Sequence, residues 1–160
     1  MQFDRVLTQF TSAVENGNGA QLAQLFTADG VYHDGFYGSF QGHAAIADML
    51  ETHFWGKAKD FKWQMQEPIM TGSIGYARYL FSYTSTLSEA KGQRVMFDGM
   101  SRFQFEGALI KDYVEIFDAA MALAQTGFSA ERIAKFADRK AQRLRASDAA
   151  KQHLNLVEER

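Results

Sequence analysis

The sequence has no cysteine and a single proline. Without thiols there are no disulfides and no thiolate metal sites, which fits a reducing compartment. Long apolar runs are missing too, and nothing approaches the roughly 20 residues a membrane helix needs. The start, Met1-Gln-Phe-Asp-Arg, lacks the cationic stretch and apolar block of a signal peptide, so a cytoplasmic location is the expectation. Charge of one sign is not in excess: 17 Lys and Arg face 19 Asp and Glu, a net charge of −2. That gives no global pull toward nucleic acid. There is no nucleophile elbow, phosphate loop or dinucleotide fingerprint. His43 and His53 lack the i, i+4 spacing of a helical metal site and nothing supplies a third ligand, so neither metal nor cofactor is expected.

What is abundant is aromatic. Fourteen phenylalanines sit in a chain of 160 residues that is 46% hydrophobic, enough for one domain with a sizeable core. Such enrichment means either a dense core or an aromatic-lined cavity. Phe3, Val6, Leu7, Phe10 and Val14 recur at helical spacing over residues 3–15, and Asn16-Gly17 stops that helix. Asn18 can cap a short second helix presenting Leu22, Leu25 and Phe26. A strand then runs through Val31 to Asp34 into a Gly-rich turn. Gln41-Gly42 leads into a third helix with Ile46, Met49, Leu50, His53 and Phe54 as its apolar stripe.

From residue 60 the period changes from about 3.6 to 2. Phe61, Trp63 and Met65 alternate with polar neighbours, and Pro68 predicts an edge strand or a bulge. Residues 76–87 form a strand with Ala77, Tyr79, Phe81 and Tyr83 on one face. Residues 93–105 form another, with Val95, Phe97, Gly99, Ser101, Phe103 and Phe105 together and Asp98 opposite. A last strand ends at Phe117. The order predicts an α+β domain with helices on one face of a curved antiparallel sheet.

A helical extension over residues 119–160 follows a domain over residues 1–118. Ala119 to Gln125 reads as helix and Gly127 ends it. Ser129 can cap a longer helix whose apolar side is Ile133, Phe136, Ala137 and Leu144. Residues 128–152 hold seven Lys and Arg against three Asp and Glu. The helix is expected to lie on the domain or on a second subunit; a nucleic-acid arm would need interleaved aromatics that are absent.

The stretch from Asp29 to Gly42 carries the strongest chemical hint. Glycines punctuate it, and Asp34 sits among Phe36, Tyr37 and Phe40. A carboxylate desolvated by such rings would have a raised pKa and could move a proton near neutral pH. The same aspartate could instead bond local backbone amides beside Gly35, as turn aspartates do. His33, its neighbour on the strand, should point the other way.

The paired helices ending Leu25-Phe26-Thr-Ala-Asp29, the Tyr32-His-Asp34 strand, Phe40-Gln-Gly42 ahead of Ile46, and the strands Ser101-Arg-Phe-Gln-Phe105 and 110–118 resemble the nuclear transport factor 2-like superfamily. The resemblance covers residues 3–118 and is to its SnoaL-like and ketosteroid isomerase-like branch. It implies a cone-shaped, cystatin-like roll with three N-terminal helices on the concave face of the sheet, often dimeric through the sheet, with a cavity between sheet and helices. It implies no single activity, since members include isomerases, cyclases, dehydratases, epoxide hydrolases and binding modules.

In ketosteroid isomerases the catalytic base stands where Asp34 does, but the oxyanion tyrosine corresponds to Phe10 and the second, proton-donating aspartate to Ser101. Loss of such donors costs an enolate several kcal/mol, unless Tyr32, Tyr79 or Tyr83 substitutes. The limonene epoxide hydrolase pattern matches at Tyr32, Arg78 and Glu115, but Asp34 replaces its Asn and Leu80 stands where an aspartate belongs. Arg78 and Glu115 could equally be a cross-strand ion pair, and Asp118 either a site acid or a helix cap.

The candidate site is therefore Asp34 as base and Tyr32 as donor. Phe10, Phe36, Phe40, Phe54, Trp63, Tyr79, Phe97, Ser101, Glu115 and Asp118 are the expected pocket. The expected function is cofactor-independent isomerisation or cyclisation of a small apolar or polycyclic molecule by a homodimer. The alternatives are a non-catalytic binding or interaction module and epoxide hydration. Asp34 discriminates the first two. Buried in a cavity beside a second polar group, it favours the enzyme; solvated or locked in backbone bonds, it favours the module.

Overall fold

The computed structural model describes residues 2–158. Helix α1 (Gln2–Glu15) is followed by α2 (Gly19–Ala23), then strands β1 (Phe26–Asp34) and β2 (Gly38–Gln41). Helix α3 (His43–Asp48) continues through Met49–Phe54 in wider π-type turns. Strands β3 (Ala58–Thr71), β4 (Ile74–Ser85), β5 (Arg94–Glu106) and β6 (Leu109–Phe117) then run in succession, and α4 (Ala119–Gln125), α5 (Ala130–Ala146) and α6 (Asp148–Glu158) complete the chain. One open sheet has the order β2-β1-β6-β5-β4-β3, so the last strand inserts beside the first. This is the expected α+β roll.

Local chemistry sets the boundaries. Gly17, at φ 64°, turns the chain out of α1. Asn18 Oδ1 accepts the Gln21 N–H at 2.9 Å and starts α2. Asp118 and Ser129 cap α4 and α5 in the same way. β3 lies at a sheet edge, and its pairing shifts between Gln66 and Ile69, around Pro68, with Glu67 at φ 50°. The missing proline donor is thus placed where the ladder is already broken.

The inner face of the sheet and α1 and α3 enclose the core. Phe10 is its centre: its ring lies within 6.4 Å of Phe26, Tyr32, Trp63, Phe103 and Tyr113, and it is fully buried. Burying rings of this size contributes about 1.5–3 kcal/mol each.

Four features depart from the sequence reading. The first strand begins at Phe26, which therefore belongs to β1 and not to the second helix. The Gly-rich turn contains β2, paired with β1 from Asp34↔Gly38 to Val31↔Gln41. The sheet is not wholly antiparallel, because β1 runs parallel to β6. Leu144, expected on the covered side of the tail, is 68% exposed. No helix among the described residues is long and apolar enough to cross a membrane.

Candidate functional site

The parallel pairing of β1 with β6 brings two carboxyls together. Tyr32 stands opposite Tyr113 and His33 opposite Val114. Side chains alternate along a strand, so Asp34 and Glu115, one step further on, both face inward. They meet within hydrogen-bonding reach. Both line a cavity of about 460 Å³ whose wall is mostly aromatic, with Phe61, Trp63, Phe81, Phe97 and Phe117 contributed by the sheet. Phe36, Phe54, Lys57 and Leu123 add to it from the connections and α4.

Asp34 is 7% exposed. Its Oδ1 accepts the N–H groups of Phe36 and Tyr37, each at 2.8 Å. Burial raises its pKa, while the hydrogen bond from Glu115 and the two backbone donors pull it back. Glu115 is accessible from the cavity but closely surrounded by protein. Its pKa is pushed well up, first by burial and then by the charge of Asp34. The Gly35 N–H donates to Glu115 Oε1 at 3.1 Å, and the Tyr113 hydroxyl reaches Oε2 at 3.5 Å. Ser101 Oγ shares a hydrogen bond of 2.8 Å with that hydroxyl. Two adjacent buried carboxyls do not both ionise readily, which favours a shared proton, and the two backbone donors on Asp34 Oδ1 favour Asp34 as the carboxylate.

Both discriminating conditions on Asp34 hold at once. Oδ1 is locked by the backbone, and the carboxyl as a whole still meets a second acid inside a cavity.

The other expected residues divide sharply. Phe36, Phe54, Trp63, Phe97 and Glu115 line the cavity. Tyr32 does not: its hydroxyl is buried with no partner among the described residues, and its ring stacks on Phe10 at 6.0 Å. Strand alternation puts it on the right face but a turn too deep. Phe10 belongs to the core, and Tyr79 packs beside Trp63, its hydroxyl without a partner among the described residues. Phe40 packs on His53 at 5.5 Å, outside the lining. Ser101 reaches the site only through Tyr113. Asp118 accepts the Ala120 and Met121 N–H groups at 2.9 and 3.4 Å, so it is a cap and lies away from the carboxyl pair.

Arg78 lies on the outer face, where it pairs with Glu67 at 3.4 Å. It neither joins Glu115 nor supports the water-activating pattern of the epoxide hydrolase template. His33 also faces outward as expected, held between Ser39 at 2.7 Å and Asp112 at 2.8 Å. Among the described residues no group of His, Asp or Glu side chains could hold a metal.

Sequence reasoning missed Tyr113 as the donor to Glu115, although the two stand i, i+2 on one strand face. It also missed the contribution of α5. Phe128 precedes that helix, and Arg132, Phe136 and Arg139 follow along one side of it to close the cavity. Lys140 Nζ donates to the Gly35 carbonyl at 3.0 Å, and Phe36 and Phe136 approach to 6.2 Å. The tail is part of the site.

A model of the family described as the SnoaL-like domain matches residues 7–113, more than half of the chain. Several solved structures share the fold. A Catenulispora acidiphila DSM 44928 protein of ketosteroid isomerase-like fold, solved with trimethylamine, is 19% identical; the match covers 79% of this chain and 95% of that one, at TM-score 0.69. An M. tuberculosis LEH-like epoxide hydrolase is 16% identical over 78% and 89% of the two chains, at TM-score 0.63. IdmH from Streptomyces antibioticus, a proposed polyketide cyclase, is 17% identical over 80% and 100%, at TM-score 0.65. These likenesses concern the fold. No curated protein matches the sequence.

Proposed function

The chain belongs to the SnoaL-like domain family, and on that premise we propose that it is a cofactor-independent acid/base enzyme acting on a small, largely apolar carbonyl compound. The observation that carries this reading is the meeting of Asp34 and Glu115 in one aromatic cavity. An isomerase or cyclase of this kind must take a proton from carbon and give one to oxygen. Asp34 accepts the C–H proton next to the carbonyl. Glu115 donates its own proton to the carbonyl oxygen, so a neutral enol forms and the negative charge passes from Asp34 to Glu115. Where the enol is conjugated, return of the Asp34 proton to a different carbon while the enol O–H proton goes back to Glu115 completes an isomerisation. Attack of the enol carbon on a second carbonyl, whose oxygen takes the Asp34 proton while the enol O–H proton goes back to Glu115, completes a cyclisation. Tyr113, backed by Ser101, donates to the Glu115 carboxylate once its proton has left. General acid and base catalysis by positioned groups contributes about 10²–10⁴-fold each.

The test is exchange of the acidic C–H protons of 2-tetralone in D2O, followed by NMR. The protein should accelerate it and Asp34→Asn should not. Equal exchange with both, or none above buffer, sinks the proposal.

The backbone lock on Asp34 Oδ1 supports a second reading, a binding module with the same cavity. It predicts ligand binding with no exchange. We propose for either reading a homodimer formed by the outer face of the sheet. Pairing across β5 puts Met100 beside Ile116, with Met96 further along the strand. All three are at least half exposed, at 50%, 73% and 53%.

A further inference from the structure

We propose that the substrate carries one anionic group on its apolar body, seated at the cavity mouth between Arg132, Arg139 and Lys57. This rests on the reading of the cavity as the reaction site and deepens it. Among the described residues three cationic side chains line the cavity, and Glu89 is the one carboxylate lining it apart from the Asp34–Glu115 pair. The cations are not spread around the wall at random. Arg132 and Arg139 stand seven residues apart on α5, with Phe136 between them on the same side, as the helical period requires.

Their pairing within the protein is incomplete. Arg132 lies 3.8 Å from the centre of the Phe128 ring and feels the charge of Glu89. Lys57 stands over the Tyr37 ring at 5.1 Å. Neither Arg139 nor Lys57 forms an ion pair among the described residues. The mouth thus holds uncompensated positive charge above an apolar, aromatic interior.

That arrangement sorts a ligand by its two ends. The aromatic wall takes the apolar body, and the guanidinium forks suit the planar, bidentate geometry of a carboxylate or a phosphate. A neutral ligand would leave the charges without a partner. An anionic end held at the mouth also fixes which carbon reaches Asp34, because the rest of the molecule can extend only inward. Since α5 supplies both arginines and none of its residues is buried, the ligand itself would add to the contacts holding that helix in place.

The test is calorimetric titration of the protein with 1-naphthaleneacetate, its neutral analogue 1-naphthaleneacetamide, and 1-naphthyl phosphate. The acetate should bind about tenfold tighter than the amide at low salt, as one charge-assisted hydrogen bond would give. The advantage should shrink as salt rises. In the Arg132→Gln/Arg139→Gln double variant it should fall to near unity, with the amide unchanged. Tighter binding of the phosphate than of the acetate would identify the anion as a phosphate, and the reverse as a carboxylate.

Equal binding of acetate and amide by the unaltered protein, or an advantage that survives the double substitution, overturns the proposal. Leu123→Trp, with Ala58→Phe as a second filling variant, separates this from failure of the cavity reading. Binding of the amide that either variant abolishes keeps the cavity while the anion site falls. Binding indifferent to both folded variants, or no binding of any ligand, removes the cavity reading and this proposal with it.

Discussion

Asp34 and Glu115 are brought together by the parallel pairing of β1 and β6, one step beyond the His33–Val114 register pair. Gly35 ties them further, since its N–H donates to Glu115 Oε1 at 3.1 Å while the next two N–H groups hold Asp34. One turn of backbone therefore positions both acids. Both acids line the cavity.

Glu115→Gln should flatten the pH dependence of stability. Burial and the Asp34 charge raise the Glu115 pKa well above its ordinary value of 4.5. Above pH 4.5 the unfolded chain gives up this proton while the folded chain keeps it. Stability is then full below that pH and falls as pH rises through the raised value, by up to about 1.4 kcal/mol per pH unit for one proton. The raised Asp34 pKa acts in the same direction. Gln keeps the shape and both hydrogen-bonding roles of protonated Glu, so it should remove most of this slope. Urea denaturation between pH 5 and 8 measures it, and parallel profiles for the two proteins would refute the shared proton.

Substitutions of Asp34 should separate its structural from its chemical role. Asp34→Asn retains an oxygen for the Phe36 and Tyr37 N–H groups and removes the base. Asp34→Ala strands both donors, which costs about 1–3 kcal/mol per buried unpaired group. Both variants should lose 2-tetralone exchange, with Ala clearly less stable than Asn in denaturant. If the two were equally stable, the bonds to Oδ1 would not hold the turn.

The strands β3 to β6 were legible because each alternates large apolar and polar residues, and the Pro68 break appeared where the register shifts. β2 was hidden by its length of four residues and by the glycines that flank it, which carry the signature of a turn. The site was half legible. Asp34 stands out from its aromatic neighbours, but its partner depends on which strand inserts beside β1, and no local pattern encodes that long-range choice. Tyr32 misled for a related reason, since alternation gives a face but not a depth. The part α5 plays in the cavity was not legible, because its basic residues ring the helix and only packing selects Arg132 and Arg139.

Tyr32→Phe and Tyr79→Phe should leave exchange intact and stability unchanged or raised by up to about 1–2 kcal/mol. Each hydroxyl is buried without a partner among the described residues, and removing an unsatisfied polar group recovers its desolvation cost. Both phenols have raised pKa values, mainly from burial, so neither supplies a ready proton. Exchange rates and thermal denaturation decide the matter. A loss of exchange greater than tenfold in Tyr32→Phe would restore Tyr32 to the site.

Ile116→Lys and Met100→Lys should convert a dimer to a monomer. Their side chains project from the outer face of adjacent strands, away from the cavity, so fold and ligand binding should persist. A buried lysine at the centre of an interface would leave a charge unpaired on each side of the twofold axis, and breaking such an interface requires only a few kcal/mol. Sedimentation equilibrium of the unaltered protein and both variants gives the masses directly. A dimer that survives both substitutions would move the interface elsewhere. Truncation after residue 127 then tests the tail: loss of the dimer on removing α5 and α6 would transfer the contact to those helices, and a retained dimer would exclude them.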